Sequence, residues 1–279
     1  MAAIGERASL RIVREETQGV YVEAGELLGE VLLPRREMPG EWEMGGELEV
    51  FIYVDSEDRP VATMKEPKVM PGEFGYLEVV AMTGVGAFLD WGLRKDLLLP
   101  FGEQKERVEV GSSYVVRVAV DESSERIVAS RRLARYLEEP DGELREGQEV
   151  ELVLYGRTDL GYQAIIDHRF SGVLYYNEVF RRLRAGEKTR GFVKKLRGDG
   201  KVDLTLYAPG RERIEQLAER IEEELRERGG VWALGDKSSP EEISAALGVS
   251  KKDFKKATGL LFRERRIVFE GEGMRSAKS

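Results

Sequence analysis

The sequence predicts a multidomain, mainly β chain in which three small β-barrels in tandem precede a C-terminal α/β domain of helices and a β-wing. Three observations carry that expectation. Short runs of alternating apolar residues recur between turn signals, the same layout returns three times, and after Gly210 the apolar period changes from two to 3.6.

The middle copy is the clearest. Phe74 to Pro100 reads FGYLEVVAMTGVGAFLDWGLRKDLLLP, with β-rich runs at Gly75–Met82 and Val85–Trp91 around a Thr83-Gly84 turn. A third run, Leu97–Leu99, follows a charged turn. Gly111 then introduces YVVRVAV, where Tyr114, Val116, Val118 and Val120 alternate with their neighbours, and Asp121 to Arg126 leads into IVAS. Five short strands in about 60 residues fit a Greek-key barrel of the oligonucleotide-binding fold class.

The first copy has the same order: Gly19-Val20-Tyr21, Glu30 to Pro34, Gly46, and a strand ending at Asp55. The third runs Gly161-Tyr162-Gln163, Gly172 to Tyr176, Gly186, TRGFVKKL, and Lys201 to Leu206. Third strands are expected to end at Pro34, Pro100 and Tyr176, a spacing of one barrel per copy. Boundaries are expected where Pro and Gly interrupt the pattern, at Glu66-Pro67, Pro140-Asp141-Gly142 and Pro209-Gly210. They divide the chain into barrels at 1–66, 67–140 and 141–210 and a last domain at 211–279.

In that last domain Ile214, Leu217, Ala218, Ile221 and Leu225 form one stripe of a helix from Arg211 to about Arg228, ended by Gly229-Gly230. Ser239-Pro240-Glu241-Glu242 supplies an N-cap, a first-turn proline and a capping-box glutamate for a second helix that stops at Gly248. Ser250 caps a third, from Lys251 to about Glu264. Alternating Ile267 and Phe269, followed by Gly271 and Gly273, read as a wing. Helix, helix, turn, helix, wing resembles the winged-helix class.

Composition narrows the chemistry. The chain has 279 residues, no cysteine and a single histidine, His168, which removes disulfides, thiolate zinc and cysteine nucleophiles and leaves little for a histidine-based site. Asp199 and Asp203, near Lys201, are the nearest carboxylate pair, and a hairpin end explains them. No catalytic residue, metal or cofactor is expected. No apolar run approaches 18 residues, so a cytoplasmic chain is expected, without membrane span or secretory signal. No long heptad pattern suggests an oligomer, so a monomer is expected.

The net charge of −8 is unevenly spread. Residues 1–66 hold 7 Lys/Arg against 15 Asp/Glu, whereas residues 211–279 hold 15 against 14. The densest basic run is Arg181 to Lys201, with nine Lys/Arg against Glu187 and Asp199. Interleaved with Phe192 and beside Tyr175, it suits phosphate tracking; the bland alternative is a solvated face. In the third helix Phe254, Ala257, Thr258 and Leu261 fall on one face and Lys252, Lys255, Lys256, Gly259 and Arg263 opposite, with Arg265 and Arg266 continuing the charge. Here too a docking helix is the bland alternative.

Gly86-Ala87-Phe88-Leu89-Asp90, Asp96 to Pro100 and VDESSERIVAS together resemble the S1 RNA-binding domain. The resemblance places Phe88 at the second RNA-stacking aromatic and Asp121 and Arg126 at the polar pair of the last hairpin. The first stacking aromatic falls on Val85. The Phe88 position is Tyr21 in the first copy and Gln163 in the third, and the family's histidine falls at Leu33, Leu99 and Tyr175. Three such copies before a basic winged helix resemble the bacterial conserved virulence factor B family, most closely over GVLYYNEVF, GFVKKLRGDGKVDLTL and GDKSSPEEISAALGVSKKDFKK. That resemblance implies a non-enzymatic, RNA-binding regulator of gene expression.

The expected RNA-binding set is therefore Phe88, Asp121 and Arg126 in the second copy, and Tyr175, Arg190, Lys194, Lys195, Arg197 and Lys201 in the third. The winged helix adds Lys252, Lys255, Lys256, Arg263 and Arg266. The expected partner is single-stranded RNA. Duplex DNA, read by the winged helix, and a protein-interaction role on the ribosome or polymerase remain the alternatives.

Overall fold

The computed structural model describes residues 2–121, 124, 126–140, 142–179, 181–208 and 211–277, with residues 211–213 described by their backbone. Of the expected boundary residues, Asp141, Pro209 and Gly210 lie outside that set, as do Glu122, Ser123, Glu125 and Phe180 of the segments quoted above. The chain forms two compact units, Met1–Leu137 and Glu138–Ser279.

The first unit holds two closed five-stranded barrels. In the first, β1 (Arg7–Glu16), β2 (Gly19–Glu23), β3 (Glu30–Pro34), β4 (Glu47–Val54) and β5 (Pro60–Thr63) close in the order β1-β2-β3-β5-β4. The second repeats this with β6 (Phe74–Met82), β7 (Gly86–Asp90), β8 (Leu97–Pro100), β9 (Ser113–Val120) and β10 (Ile127–Ser130). In the second unit β11 (Glu149–Arg157), β12 (Gly161–Ile166), β13 (Phe170–Tyr175), β14 (Lys188–Leu196) and β15 (Val202–Thr205) form the third. In each, the last strand pairs parallel to the third and antiparallel to the fourth, the crossover that closes the cylinder.

Closure depends on two devices repeated in every copy. A bulge interrupts the first hairpin at the same place, between Ile12 and Arg14, Val79 and Ala81, and Leu154 and Gly156. The extra residue bends the strand and increases its twist, letting five strands meet edge to edge. Gly19, Gly86 and Gly161 then open the second strands, where a Cβ would lie 2.0, 2.3 and 2.2 Å from the carbonyl oxygens of Leu33, Leu99 and Leu174. Only a residue without a side chain permits that approach.

The same glycines settle a register. They pair with Pro34, Pro100 and Tyr175, so the residue equivalent to Tyr175 is Pro34 or Pro100, not Leu33 or Leu99. Leu33, Leu99 and Leu174 are the true equivalents of one another, and all three are fully buried. The third strand of the third barrel ends at Tyr175, with Tyr176 beginning a single 3-10 turn, Tyr176–Glu178. Two adjacent tyrosines allow either reading in the sequence, and a shift of one residue exchanges the two faces of a strand.

Each third strand runs into such a turn, and its glutamate is tied to the end of the barrel. Glu37 accepts from the hydroxyl of Thr63 and Glu103 from that of Ser130, both buried. In the third barrel Glu178 accepts from Lys194 Nζ instead. The exchange of a hydroxyl for an ammonium anchors a lysine at that end of β14.

Packing differs between the units. In the first, Phe51, Tyr53 and Val61 of the first barrel share one apolar cluster with Leu77, Trp91 and Leu97 of the second, and the Phe51 and Trp91 rings meet edge to face at 6.0 Å. In the second, barrel and C-terminal domain have separate cores. Tyr207, just beyond β15, packs against the C-terminal core and donates its hydroxyl to Gly248 O at 2.5 Å.

The C-terminal domain comprises α1 (Arg211–Glu227), β16 (Val231–Trp232), α2 (Pro240–Leu247), α3 (Lys251–Arg263), β17 (Ile267–Glu270) and β18 (Gly273–Ser276), the strands ordered β16-β18-β17. Leu217, Ile221 and Leu225 meet Ile243, Leu247, Phe254 and Leu261 in its core, as their helical spacing predicts. Ser239 and Glu242 form a reciprocal capping box, worth about 1 kcal/mol, and Gly248 ends α2 in the left-handed conformation at φ 65°. The short strand β16 has no periodic signature and is legible only through its pairing with β18.

Candidate nucleic-acid interface

In the third barrel four of the nine cations of the basic run lie on β14, where alternation and a bulge between Val193 and Lys195 turn Lys188, Arg190, Lys194 and Lys195 outward. Local carboxylates partner much of its charge. Arg181 pairs with Glu187, Arg190 with Glu149 at 3.3 Å, and Lys194 with Glu178. Arg197 and Lys201 both reach Asp199, at 3.2 and 3.3 Å. Burial alone raises the Asp199 carboxyl, but the Lys201 hydrogen bonds and the neighbouring Arg197 and Lys201 charges outweigh it and hold the group below the usual carboxylate range. Among the described residues Arg182, Arg184, Lys188 and Lys195 are exposed and form no ion pair.

Tyr175 is half-buried, and its hydroxyl donates to Asp203 Oδ1 at 3.0 Å. Arg197 Nη1 donates to the same hydroxyl at 3.5 Å. Tyr175, Asp203, Arg197, Asp199 and Lys201 therefore form one connected polar group at the β14–β15 hairpin. Beside it, Tyr162 and Tyr176 pack edge to face at 5.0 Å, and the Arg157 guanidinium sits 5.3 Å from the Tyr162 ring.

A cleft of about 720 Å³ separates this barrel from the winged helix. Asn177, Phe192 and Lys194 line its barrel side and Lys252 and Lys256 its helical side, and Tyr207 lines it too. Glu146, Glu178 and Asp253 also reach it, so the lining is mixed rather than uniformly basic. Lys255, Gly259 and Arg263 continue along the exposed face of α3, and a Cβ at Gly259 would meet nothing within 4 Å. Among the described residues Lys252, Lys255, Lys256 and Arg263 form no ion pair. Arg266 is different: it is clamped by Glu222 of α1, at 2.6 Å through Nε, and by Glu264 at 3.1 Å. Those carboxylates raise its pKa above the ordinary arginine value and occupy its donors, so Arg266 fastens α1 to the start of the wing.

Phe88, Asp121 and Arg126 belong to the first unit and are not among the residues that line this cleft. Phe88 and Arg126 line a crevice of about 230 Å³ together with Tyr53 and Asp58 of the first barrel. Arg126 pairs with Asp58, and Lys95 donates to Asp55 O at 2.6 Å. Asp121 accepts from the amide and hydroxyl of Ser124, at 2.8 and 2.7 Å, and so shapes its own turn. Arg126 is thus used against the neighbouring barrel, while Phe88 lines the crevice beside it. Val85 remains outside the packing, 60% exposed.

Two features escape a linear reading. In the acidic first barrel Arg35, Arg36 and Arg59 converge with Arg94 and Lys95 of the second on a groove of about 560 Å³. Most are matched there, Arg35 by Glu15, Arg59 by Asp55 and Glu57, and Lys95 by Asp58. The other is Phe262, which projects from the outer face of α3 beside the lysines. Its signal is an aromatic one position off the apolar stripe of Phe254, Thr258 and Leu261.

Asp55 has the same place in the first barrel as Asp121 in the second, each accepting at its turn while its amide donates to an arginine carbonyl. Burial alone raises the Asp55 carboxyl, but hydrogen bonds from the Arg59 guanidinium and from the Arg59 and Glu57 amides outweigh it and lower the pKa. A depressed folded pKa contributes stability that is present above the unfolded value and lost as pH falls through the folded one. Asp55→Asn is therefore expected to lower the stability of the first unit by about 1 kcal/mol at neutral pH. The deficit should shrink below the ordinary carboxylate range. Urea denaturation of both proteins at neutral and acid pH measures it, and an undiminished deficit in acid would contradict the assignment.

Comparison with known proteins agrees with this architecture. Residues 4–65 match the S1 domain family, and residues 219–275 match the CvfB-like winged helix domain family. An uncharacterized protein of Bacillus subtilis, YitL, is 29% identical, with 95% of this chain and 91% of that one covered. Conserved virulence factor B of Staphylococcus saprophyticus is 24% identical over 86% of this chain and 84% of that one. A crystal structure of a multidomain protein with nucleic acid binding domains from Streptococcus pneumoniae aligns over 98% of both chains at 23% identity, with a TM-score of 0.44. With a match to the S1 domain at one end, a match to the CvfB-like winged helix at the other and similarity along most of its length, the chain is similar to conserved virulence factor B.

Proposed function

We propose that the chain is a non-enzymatic, cytoplasmic regulator of gene expression that binds single-stranded RNA through the third barrel and the winged helix. The observation that carries this reading is the cleft between them, where Phe192 and Lys194 face Lys252 and Lys256. Lys252 and Lys256, which form no ion pair among the described residues, hold successive phosphates, and Phe192 on the barrel wall offers a surface to a base, a combination suited to an unpaired strand. Exposed cations beyond the cleft, Lys188 and Lys195 on one side and Lys255 and Arg263 on the other, extend the track. The first two barrels, which share one apolar cluster, act as a scaffold or protein-docking module. The protein works as a monomer, without metal or cofactor.

Fluorescence anisotropy of the full chain against labelled single-stranded RNA and duplex DNA, at two salt concentrations, tests the reading. Preferential RNA binding that weakens with salt is expected. Tighter binding to the duplex would transfer the function to transcription. Failure to bind either would leave the folds as protein-interaction modules on the ribosome or polymerase.

A further inference from the structure

α3 leaves the C-terminal core with one large apolar ring outside. Phe262 is 53% exposed, although the helix already buries Phe254, Ala257, Thr258 and Leu261. It does not stand alone, because Phe269 of the wing lies against it with ring centroids 5.7 Å apart and planes inclined by 32°. Phe269 is itself anchored in the domain core, so the pair is a supported platform with one ring open to solvent.

What surrounds the platform identifies its occupant. Lys255, Gly259 and Arg263 precede or follow Phe262 on the outer helical face, and Arg265 closes the helix. Among the described residues none of Lys255, Arg263 and Arg265 forms an ion pair. Gly259 leaves open space one turn before the ring. Arg265 takes a left-handed backbone at φ 58°, a position where glycine or asparagine is the easier residue. An arginine there puts a cation two residues after the end of the helix at some conformational cost. A protein partner would cover an apolar ring with apolar side chains and match the cations with carboxylates. A ligand that is polyanionic and also carries flat apolar faces fits with no further group, and an unpaired nucleic-acid strand has both.

We propose that Phe262, backed by Phe269, stacks an unpaired base of the RNA strand whose phosphates lie along Lys255, Arg263 and Arg265. The proposal rests on the RNA-binding reading above and deepens it: the winged helix engages the strand through a base plane, which a paired duplex keeps inside its stack.

The test compares the full-length wild type with Phe262→Ala and Phe262→Tyr. The probes are a labelled single-stranded RNA of mixed sequence, an abasic phosphodiester strand of the same length, and an RNA duplex. Phe262→Ala is expected to weaken single-strand binding by about 5- to 150-fold, the range of one lost base–aromatic stack. Its salt dependence and its binding to the abasic strand and the duplex should not change, and Phe262→Tyr, which keeps the ring, should bind as the wild type does. An equal loss on the abasic strand, or in the tyrosine variant, would show that the ring only supports the wing and would overturn the proposal. Unchanged binding by Phe262→Ala would overturn the stack while leaving RNA binding intact. A wild type that binds no RNA would remove both.

Discussion

Gly161→Ala is expected to disrupt the third barrel and leave the first unit folded. A Cβ at this position would lie 2.2 Å from the carbonyl oxygen of Leu174 and 2.9 Å from Tyr175 Cα, both backbone atoms of the paired strand. No rotamer relieves such a clash, because the added atom is fixed to the backbone. The strands must separate, and the register from Gly161–Tyr175 to Ile166–Phe170 separates with them. The expected cost is about 3 kcal/mol or more, at the upper end for overpacked sites. Urea denaturation followed by far-ultraviolet circular dichroism would show an early transition carrying the third barrel's share of the signal. RNA affinity should fall in the same variant, since the barrel side of the cleft is lost. A variant as stable as the wild type would mean that β12 and β13 do not pair as described.

The second large effect concerns charge. Reversing Lys252, Lys255 and Lys256 together is expected to weaken RNA binding by about 100-fold at moderate salt. It should also reduce the slope of log K against log salt by about 2, the contribution of three phosphates on a single strand. The substitutions should be neutral for folding, because all three side chains are exposed and make no ion pair among the described residues. Arg266→Glu, by contrast, should destabilise the domain by breaking its link to Glu222. Salt titrations of the triple variant measure the effect. A slope equal to that of the wild type would take α3 out of the interface and leave the barrel to carry binding alone.

The architecture was largely legible because each barrel announces itself locally. Two-residue alternation, a glycine at the start of each second strand and a glycine before each fourth are short-range signals, and the capped helices are marked just as strongly. What the chain order concealed is pairing between distant residues. The nine cations between Arg181 and Lys201 read as a dense patch, yet Glu149 and Glu178, outside that stretch, neutralise two of them. Arg266 looks like a continuation of the basic helix until Glu222, 44 residues earlier, is seen to hold it. Phe88 occupies a stacking position by alignment, but a β4–β5 turn from the preceding barrel lies beside it. Tyr175 was legible as a residue of interest, whereas its one-residue register required the pairing with Gly161.

The shared cluster around Phe51 and Trp91 has a spectroscopic consequence. The three indoles of the chain are Trp42, packed on the first-barrel core, Trp91, at the junction of the first two barrels, and Trp232, in the winged-helix core. Tryptophan emission therefore follows the first unit, whose barrels should melt as one block, and the C-terminal domain. The third barrel is dark at those wavelengths. It could unfold entirely while the emission maximum barely moved, and an indole introduced at Phe192 would give that barrel, and the cleft it lines, a signal of its own.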